Sequence, residues 1–180
     1  MSSVRADAKI TLILGGARSG KSRLAEELAQ KRSGRLVYVA TAEAWDEEMR
    51  ARIAEHKARR GDRWHDIEAP IAIAEVLRTL HANQAGGDTG AVLIDCMTLW
   101  LSNLMHANRD IATETAGLLA ALDAVRFPVL LVSNEVGLGI VPDNKLARDF
   151  RDHQGRLNQA LAARADHAVF MAAGLPLVLK

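Results

Sequence analysis

Eight consecutive residues, Gly15-Gly16-Ala17-Arg18-Ser19-Gly20-Lys21-Ser22, constrain this chain more than any others. Their spacing is G-x-x-x-x-G-K-[ST], that of a phosphate-binding P-loop. The flanks decide whether the spacing carries meaning. Ile10-Thr11-Leu12-Ile13-Leu14 precedes it as an apolar run of strand length, and Arg23-Leu24-Ala25-Glu26-Glu27-Leu28-Ala29-Gln30 follows as a helix. A strand, a glycine-rich turn and a helix in that order aim backbone N–H groups and a helix N-terminus at one point, where an anion is held. Lys21 is then expected to reach the β- and γ-phosphates, and the Ser22 hydroxyl to ligate Mg²⁺. Arg18 is placed to lie over the phosphates. Arg23 suits the helix surface. A glycine turn that binds nothing is the alternative, and both flanks count against it.

Further apolar runs end where a parallel sheet places ligand contacts, at the carboxyl ends of strands. Residues 35–40 read as a second strand leading into Thr41-Ala42-Glu43, and residues 64–68 as a short one ending at Glu68. Residues 91–95 form a buried strand ending in Asp95, and residues 128–132 another, followed by a loop with two glycines. Residues 167–171 and 175–179 close the chain as a strand pair turning at Gly174. Helical patterns lie between them: Asp46 to about Arg60; a stretch after Pro70 carrying Ile73, Val76, Leu77 and Leu80; and Thr98 to His106. Two more follow, one capped by Asp110 and one from Asp143 to about Arg164 with Leu146, Phe150, Leu157 and Leu161 inward. Such alternation predicts an α/β fold, P-loop NTPase-like with three α/β/α layers. Its sheet is mostly parallel with an antiparallel C-terminal edge hairpin. With no linker or repeat, residues 1–180 read as one nucleotide-binding domain. The apolar stretch Leu99 to Met105 is expected to pack internally or against another subunit.

Charge excludes some partners. The chain has 23 Lys+Arg against 22 Asp+Glu, a net charge of +1, which points to neither nucleic acid nor a membrane surface. No apolar run approaches the roughly 20 residues of a membrane span. The first nine residues lack an apolar signal core. The single cysteine, Cys96, rules out an internal disulfide and fits a reducing compartment, so a cytoplasmic protein is expected.

Three candidate groups stand outside the P-loop. Asp95 suits Mg²⁺ held through its water shell, or else caps the next helix. Glu68 can accept from a base or ribose hydroxyl, or is a solvated acid. Of six histidines, His56 stands out. It shares a helical face with Met49 and Ile53 and is followed by Lys57, Arg59 and Arg60. A histidine among cations beside a nucleotide suits covalent chemistry on phosphorus, and a solvated charged face is the other reading. The N-K-x-D motif of regulatory GTPases is absent.

Taken in order, several pieces resemble the bifunctional adenosylcobinamide kinase/adenosylcobinamide-phosphate guanylyltransferases of cobalamin biosynthesis. They are the P-loop through Arg23; Tyr38-Val39-Ala40-Thr41-Ala42; Asp46-Glu47-Glu48-Met49; Arg52-Ile53-Ala54-Glu55-His56-Lys57; Trp64; and Leu93-Ile94-Asp95-Cys96-Met97-Thr98. Next come Ser133-Asn134-Glu135-Val136-Gly137-Leu138-Gly139-Ile140-Val141-Pro142, Ala147-Arg148-Asp149-Phe150-Arg151-Asp152 and Gly155-Arg156-Leu157-Asn158-Gln159. The Asn-Glu-Val-Gly-x-Gly-Ile-Val-Pro run is the most diagnostic.

The resemblance implies phosphorylation of adenosylcobinamide by ATP or GTP. Transfer of GMP from GTP to the product follows, through a GMP–histidine intermediate at His56. It implies nucleotide contacts at Ala40, Thr41, Ala42, Lys57, Ala58, Arg59, Arg60, Glu68 and Asp95, and assembly as a homo-oligomer, a trimer. Related chains often carry Glu where Asp95 stands, and proline near Gly61. A monofunctional small-molecule kinase using Lys21, Ser22 and Asp95 is the alternative reading.

Overall fold

The computed structural model describes residues 4–42, 61–83 and 88–180. In chain order these form β1 (Ile10–Gly15), α1 (Lys21–Gln30), β2 (Arg35–Ala40), β3 (Trp64–Glu68), α2 (Ile73–Ala82) and β4 (Thr89–Asp95). They continue with α3 (Met97–His106), α4 (Ile111–Ala124), β5 (Val129–Asn134), α5 (Lys145–Arg164), β6 (His167–Ala172) and β7 (Leu175–Val178). The helix expected over residues 46–60 lies outside the described residues.

All seven strands join one sheet in the order β3-β2-β4-β5-β1-β6-β7. Every neighbouring pair is parallel except β6 and β7, the expected antiparallel edge hairpin. Central strands read as near-continuous apolar runs because both faces are covered. Alternate residues of β1 show it: Ile10, Leu12 and Leu14 enter one core, and Ile13 enters the other. The first core is closed by side chains of α2 to α5, such as Leu77, Trp100, Leu122 and Leu161, and the second by Ala25, Leu28 and Ala29 of α1. That is the α/β/α layering, with α1 across the sheet from α2–α5.

Local chemistry sets the helix starts. Asp110 accepts from the Thr113 N–H at 2.7 Å, capping α4 as expected. Asn144 accepts from the Ala147 N–H at 2.8 Å and starts α5. Pro70 stands short of α2, whose N-cap is Ala72, so it does not occupy the first turn. Leu146, expected inward, is exposed, and α5 turns Gln154, Leu157, Asn158 and Leu161 inward instead.

The apolar stretch on α3 packs internally. Met97, Trp100, Leu101 and Leu104 are all buried in the larger core, with Met105 packed against it. Trp100 satisfies its indole by donating Nε1–H to the Ile71 carbonyl at 2.8 Å. Exposed large apolar side chains lie elsewhere, at Leu138, Ile140, Val141 and Leu146 and along Leu175, Leu177 and Leu179.

Candidate nucleotide site

Parallel register gathers the candidate residues at one end of the sheet. Gly15 stands opposite Asn134 on one side and Met171 on the other. Ala40 stands opposite Asp95 and Glu68. The strand ends therefore present Glu68, Ala40, Asp95, Asn134 and Gly15 along one edge.

The P-loop has the backbone its glycines predict. Gly15 sits at φ 149°, where a Cβ would lie 2.5 Å from the Met171 carbonyl oxygen and 2.8 Å from Ser19 Oγ. No other residue type fits there without moving the chain. Arg18 takes φ 55°, and Gly20 caps α1 in the left-handed region at φ 96°. Two neighbours brace the loop. The Glu135 N–H donates to the Gly15 carbonyl at 3.1 Å, and the Gly174 N–H to the Ser19 carbonyl at 3.2 Å. Ser19 Oγ is buried with no hydrogen-bond partner among the described residues. Such an orphan is costly unless a ligand atom meets it.

Lys21 is buried, and its Nζ donates to the Gly16 carbonyl at 2.5 Å. Burial holds its ammonium below the usual lysine value, opposed by Cys96 and Asp95. Asp95, half-buried at the end of β4, accepts from the Tyr38 hydroxyl at 3.3 Å. Glu68 is exposed at the end of β3. Among the described residues no three His, Cys, Asp or Glu side chains form a metal cluster. Mg²⁺ needs none, because it keeps water and phosphate oxygens and takes one or two protein oxygens. Ser22 on the first turn of α1 and Asp95 at the end of β4 carry oxygens of the kind it takes.

Thr41, expected to contact nucleotide, is fully buried with its polar groups occupied. Its hydroxyl accepts from the Cys96 N–H at 2.7 Å and donates to the Cys96 carbonyl at 2.8 Å. Its N–H donates to the Asp95 carbonyl at 3.1 Å, and its own carbonyl accepts from Asn103 Nδ2 at 2.8 Å. Thr41 thus clamps the end of β4 to β2. Cys96 is buried, and burial together with the Asp95 carboxylate pushes its thiol up to about 11.

A sequence profile described as cobinamide kinase / cobinamide phosphate guanyltransferase matches residues 11–179. This chain belongs to that family. Phosphorylation of cobinamide and guanylyl transfer to its phosphate are the activities the family description carries. The bifunctional adenosylcobalamin biosynthesis protein CobP of Pseudomonas aeruginosa is 47% identical over 171 residues, covering 94% of this chain and 96% of that protein. CobU of Salmonella typhimurium, of the same description, is 40% identical over 184 residues, covering 94% and 98%. Among solved structures, the RadB recombinase superposes with a TM-score of 0.55 at 17% identity, covering 89% of this chain and 73% of that one. A KaiC-like protein of Pyrococcus horikoshii gives 0.54 at 13% identity, covering 90% and 70%. These last two share the fold.

Within the family frame, the structure brings together the P-loop, Ala40, Ala42 and Asp95, with Glu68 at the far edge strand. His56, Lys57, Ala58, Arg59 and Arg60 lie outside the described residues. Sequence reasoning missed the Thr41–Cys96 clamp and the polar side chains of α5 that reach β5. A buried Thr or Gln reads in sequence like a solvent-facing one.

Proposed function

We propose that one P-loop serves both activities in turn and that His56 carries the guanylyl group between them. The orphaned Ser19 hydroxyl inside a braced P-loop is the observation that carries the nucleotide site. Phosphoryl transfer depends mainly on charge neutralisation and alignment. Lys21 supplies a desolvated cation, and the loop N–H groups supply fixed dipoles. Mg²⁺, when bound through Ser22 and Asp95, neutralises phosphate charge. Arg18, exposed on the loop, covers the phosphates in this reading.

The second reaction is two displacements at the α-phosphorus. His56 attacks as neutral imidazole and pyrophosphate leaves, then the cobinamide phosphate oxygen displaces the histidine. Lys57 favours the neutral ring by disfavouring a second cation beside it. Ala40, Ala42, Ala58, Arg59, Arg60 and Glu68 complete the nucleotide contacts in this reading. The whole chain acts as one domain in the cytoplasm, where its single thiol stays reduced. It assembles as a homotrimer.

Incubation with α-labelled GTP tests the histidine. The wild type should form an adduct labile to acid and stable to base, and His56→Ala should form none while keeping part of the kinase activity. An undiminished adduct in His56→Ala overturns the assignment.

A further inference from the structure

The side chains from Ser133 to Gly137 take no part in the chemistry above, yet the structure holds this strand end by a network of side-chain hydrogen bonds. Ser133 is fully buried and donates its hydroxyl to Asn158 Oδ1 at 2.7 Å. Gln154 Nε2 donates to Ser133 Oγ and to Asn158 Oδ1, both at 2.9 Å. Asn158 Nδ2 then donates to the Asn134 carbonyl at 3.1 Å. From α3, Thr98 Oγ1 accepts the Asn134 N–H at 2.8 Å. From β1, the Gly15 carbonyl accepts the Glu135 N–H at 3.1 Å. The backbone leading into Glu135 is therefore held by two helices and by the P-loop strand.

This arrangement is not the cheapest way to fill a core. Gln154 Oε1 is buried with no partner among the described residues. Apolar side chains of similar size would avoid that desolvation cost. What the network achieves is orientation. The Glu135 carboxylate folds back to accept the Gly137 N–H at 2.5 Å. A Cβ on Gly137 would lie 2.9 Å from that carboxylate oxygen, so a side chain there would push the carboxylate aside. Among the described residues no cation pairs with Glu135.

Position along the sheet separates the acids. Strands lie about 4.8 Å apart, so Glu68, four strands from β1, is roughly 19 Å from the P-loop strand, and Asp95, two strands away, roughly 10 Å. Glu135 follows β5, the strand directly beside β1. Among the acids that end or follow the described strands, it is the one on the strand nearest β1.

We propose that Glu135 is the catalytic residue that takes the acceptor hydroxyl proton in the kinase step, and that Gln154, Asn158 and Ser133 are its positioning residues. The assignment rests on the kinase activity residing at this P-loop. As the hydroxyl oxygen bonds to the γ-phosphorus, its proton passes to the Glu135 carboxylate. The bond from the γ-phosphorus to the bridging oxygen breaks, and the nucleoside diphosphate leaves with that electron pair. Half-buried Glu135 then returns the proton to water.

The test compares wild type, Glu135→Gln and Glu135→Asp in three measurements. These are phosphorylation of cobinamide by ATP, nucleotide affinity by calorimetry, and guanylyl transfer from GTP to preformed cobinamide phosphate. Glu135→Gln should lower kcat for phosphorylation by about 10²–10³-fold. Nucleotide affinity should stay within about twofold, guanylyl transfer should fall far less, and Glu135→Asp should recover part of the kinase rate. Wild-type phosphorylation in Glu135→Gln overturns the proposal. So does a parallel loss of nucleotide affinity, which would make Glu135 a binding group. A melting curve identifies any unfolded variant, and Glu135→Asp then decides by the same ratio. Absence of phosphorylation in the wild type would instead sink the kinase reading itself, and this proposal with it.

Discussion

Thr41 and Cys96 hold one another by a reciprocal pair of hydrogen bonds, N–H to hydroxyl at 2.7 Å and hydroxyl to carbonyl at 2.8 Å. The pair joins the end of β2 to the residue after Asp95, so the carboxylate's place is set by a hydroxyl three strands from the P-loop strand. Thr41→Val keeps the shape and removes both bonds, leaving the buried Cys96 N–H without its partner while the Cys96 carbonyl keeps the Trp100 N–H at 3.1 Å. The expected cost is about 1–3 kcal/mol, a fall in melting temperature of roughly 2–12 °C. Calorimetric melting checks it, and an unchanged melt would deny the clamp.

Lys21 should be a liability to the empty protein. Burial lowers its pKa below the ordinary lysine value of 10.5. Between the folded-state value and 10.5 the unfolded chain therefore binds more protons, and stability from this group rises with pH across that window. Lys21→Met should remove this rise while abolishing nucleotide binding. Its melting temperature near pH 7 should equal or exceed that of the wild type. The difference between the two should narrow as pH approaches 10.5. A ligand-free variant less stable than wild type at pH 7 would contradict the desolvation account.

The free thiol of Cys96 should be inert. It is buried, and its pKa is raised to about 11. Almost none is thiolate at pH 8, and the thiolate is the reactive species. Ellman's reagent should label the native protein far more slowly than the same protein in denaturant. Fast native labelling would show that the end of β4 opens readily.

Two exposed apolar sites and one buried one separate folding from assembly. Trp100→Ala on α3 should cost about 3–5 kcal/mol through the cavity it leaves and through the indole bond to Ile71. Leu175→Asp with Leu177→Asp, on the exposed face of edge strand β7, should leave the melting temperature within a few degrees. If β7 is the assembly surface, sedimentation velocity will show smaller species for this double variant. An unchanged assembly would move the interface to the exposed Leu138–Leu146 region.

Legibility followed burial on two faces. The runs that became β1, β4 and β5 were readable because unbroken apolar stretches bounded by glycine or acid have few other uses. Asp110 was readable because its cap bond is local. The strand order was not, since nothing in the residues says that β1 enters between β5 and β6. Leu146 was misplaced because an apolar residue at helical spacing is ordinarily inward, and α5 instead turns Gln154 and Asn158 inward. The Asp95 and P-loop ends of the site were visible as types of residue. The bracing of Gly15 by Glu135 was not, because 120 residues of chain separate the two.

That placement of β1 has a consequence for synthesis. The strand bearing the P-loop is the first in the chain, yet both of its sheet neighbours, β5 and β6, are among the last. At about 5–20 residues per second, roughly ten to thirty seconds pass between the appearance of Gly15 on the ribosome and that of Met171, which stands opposite it. Until β5 and Glu135 are made the nascent P-loop has neither neighbour and neither brace, and β6 and Gly174 follow later still. ATP and GTP in the surroundings can therefore do nothing to guide the early chain, and nucleotide first stabilises this protein when translation has almost run its course.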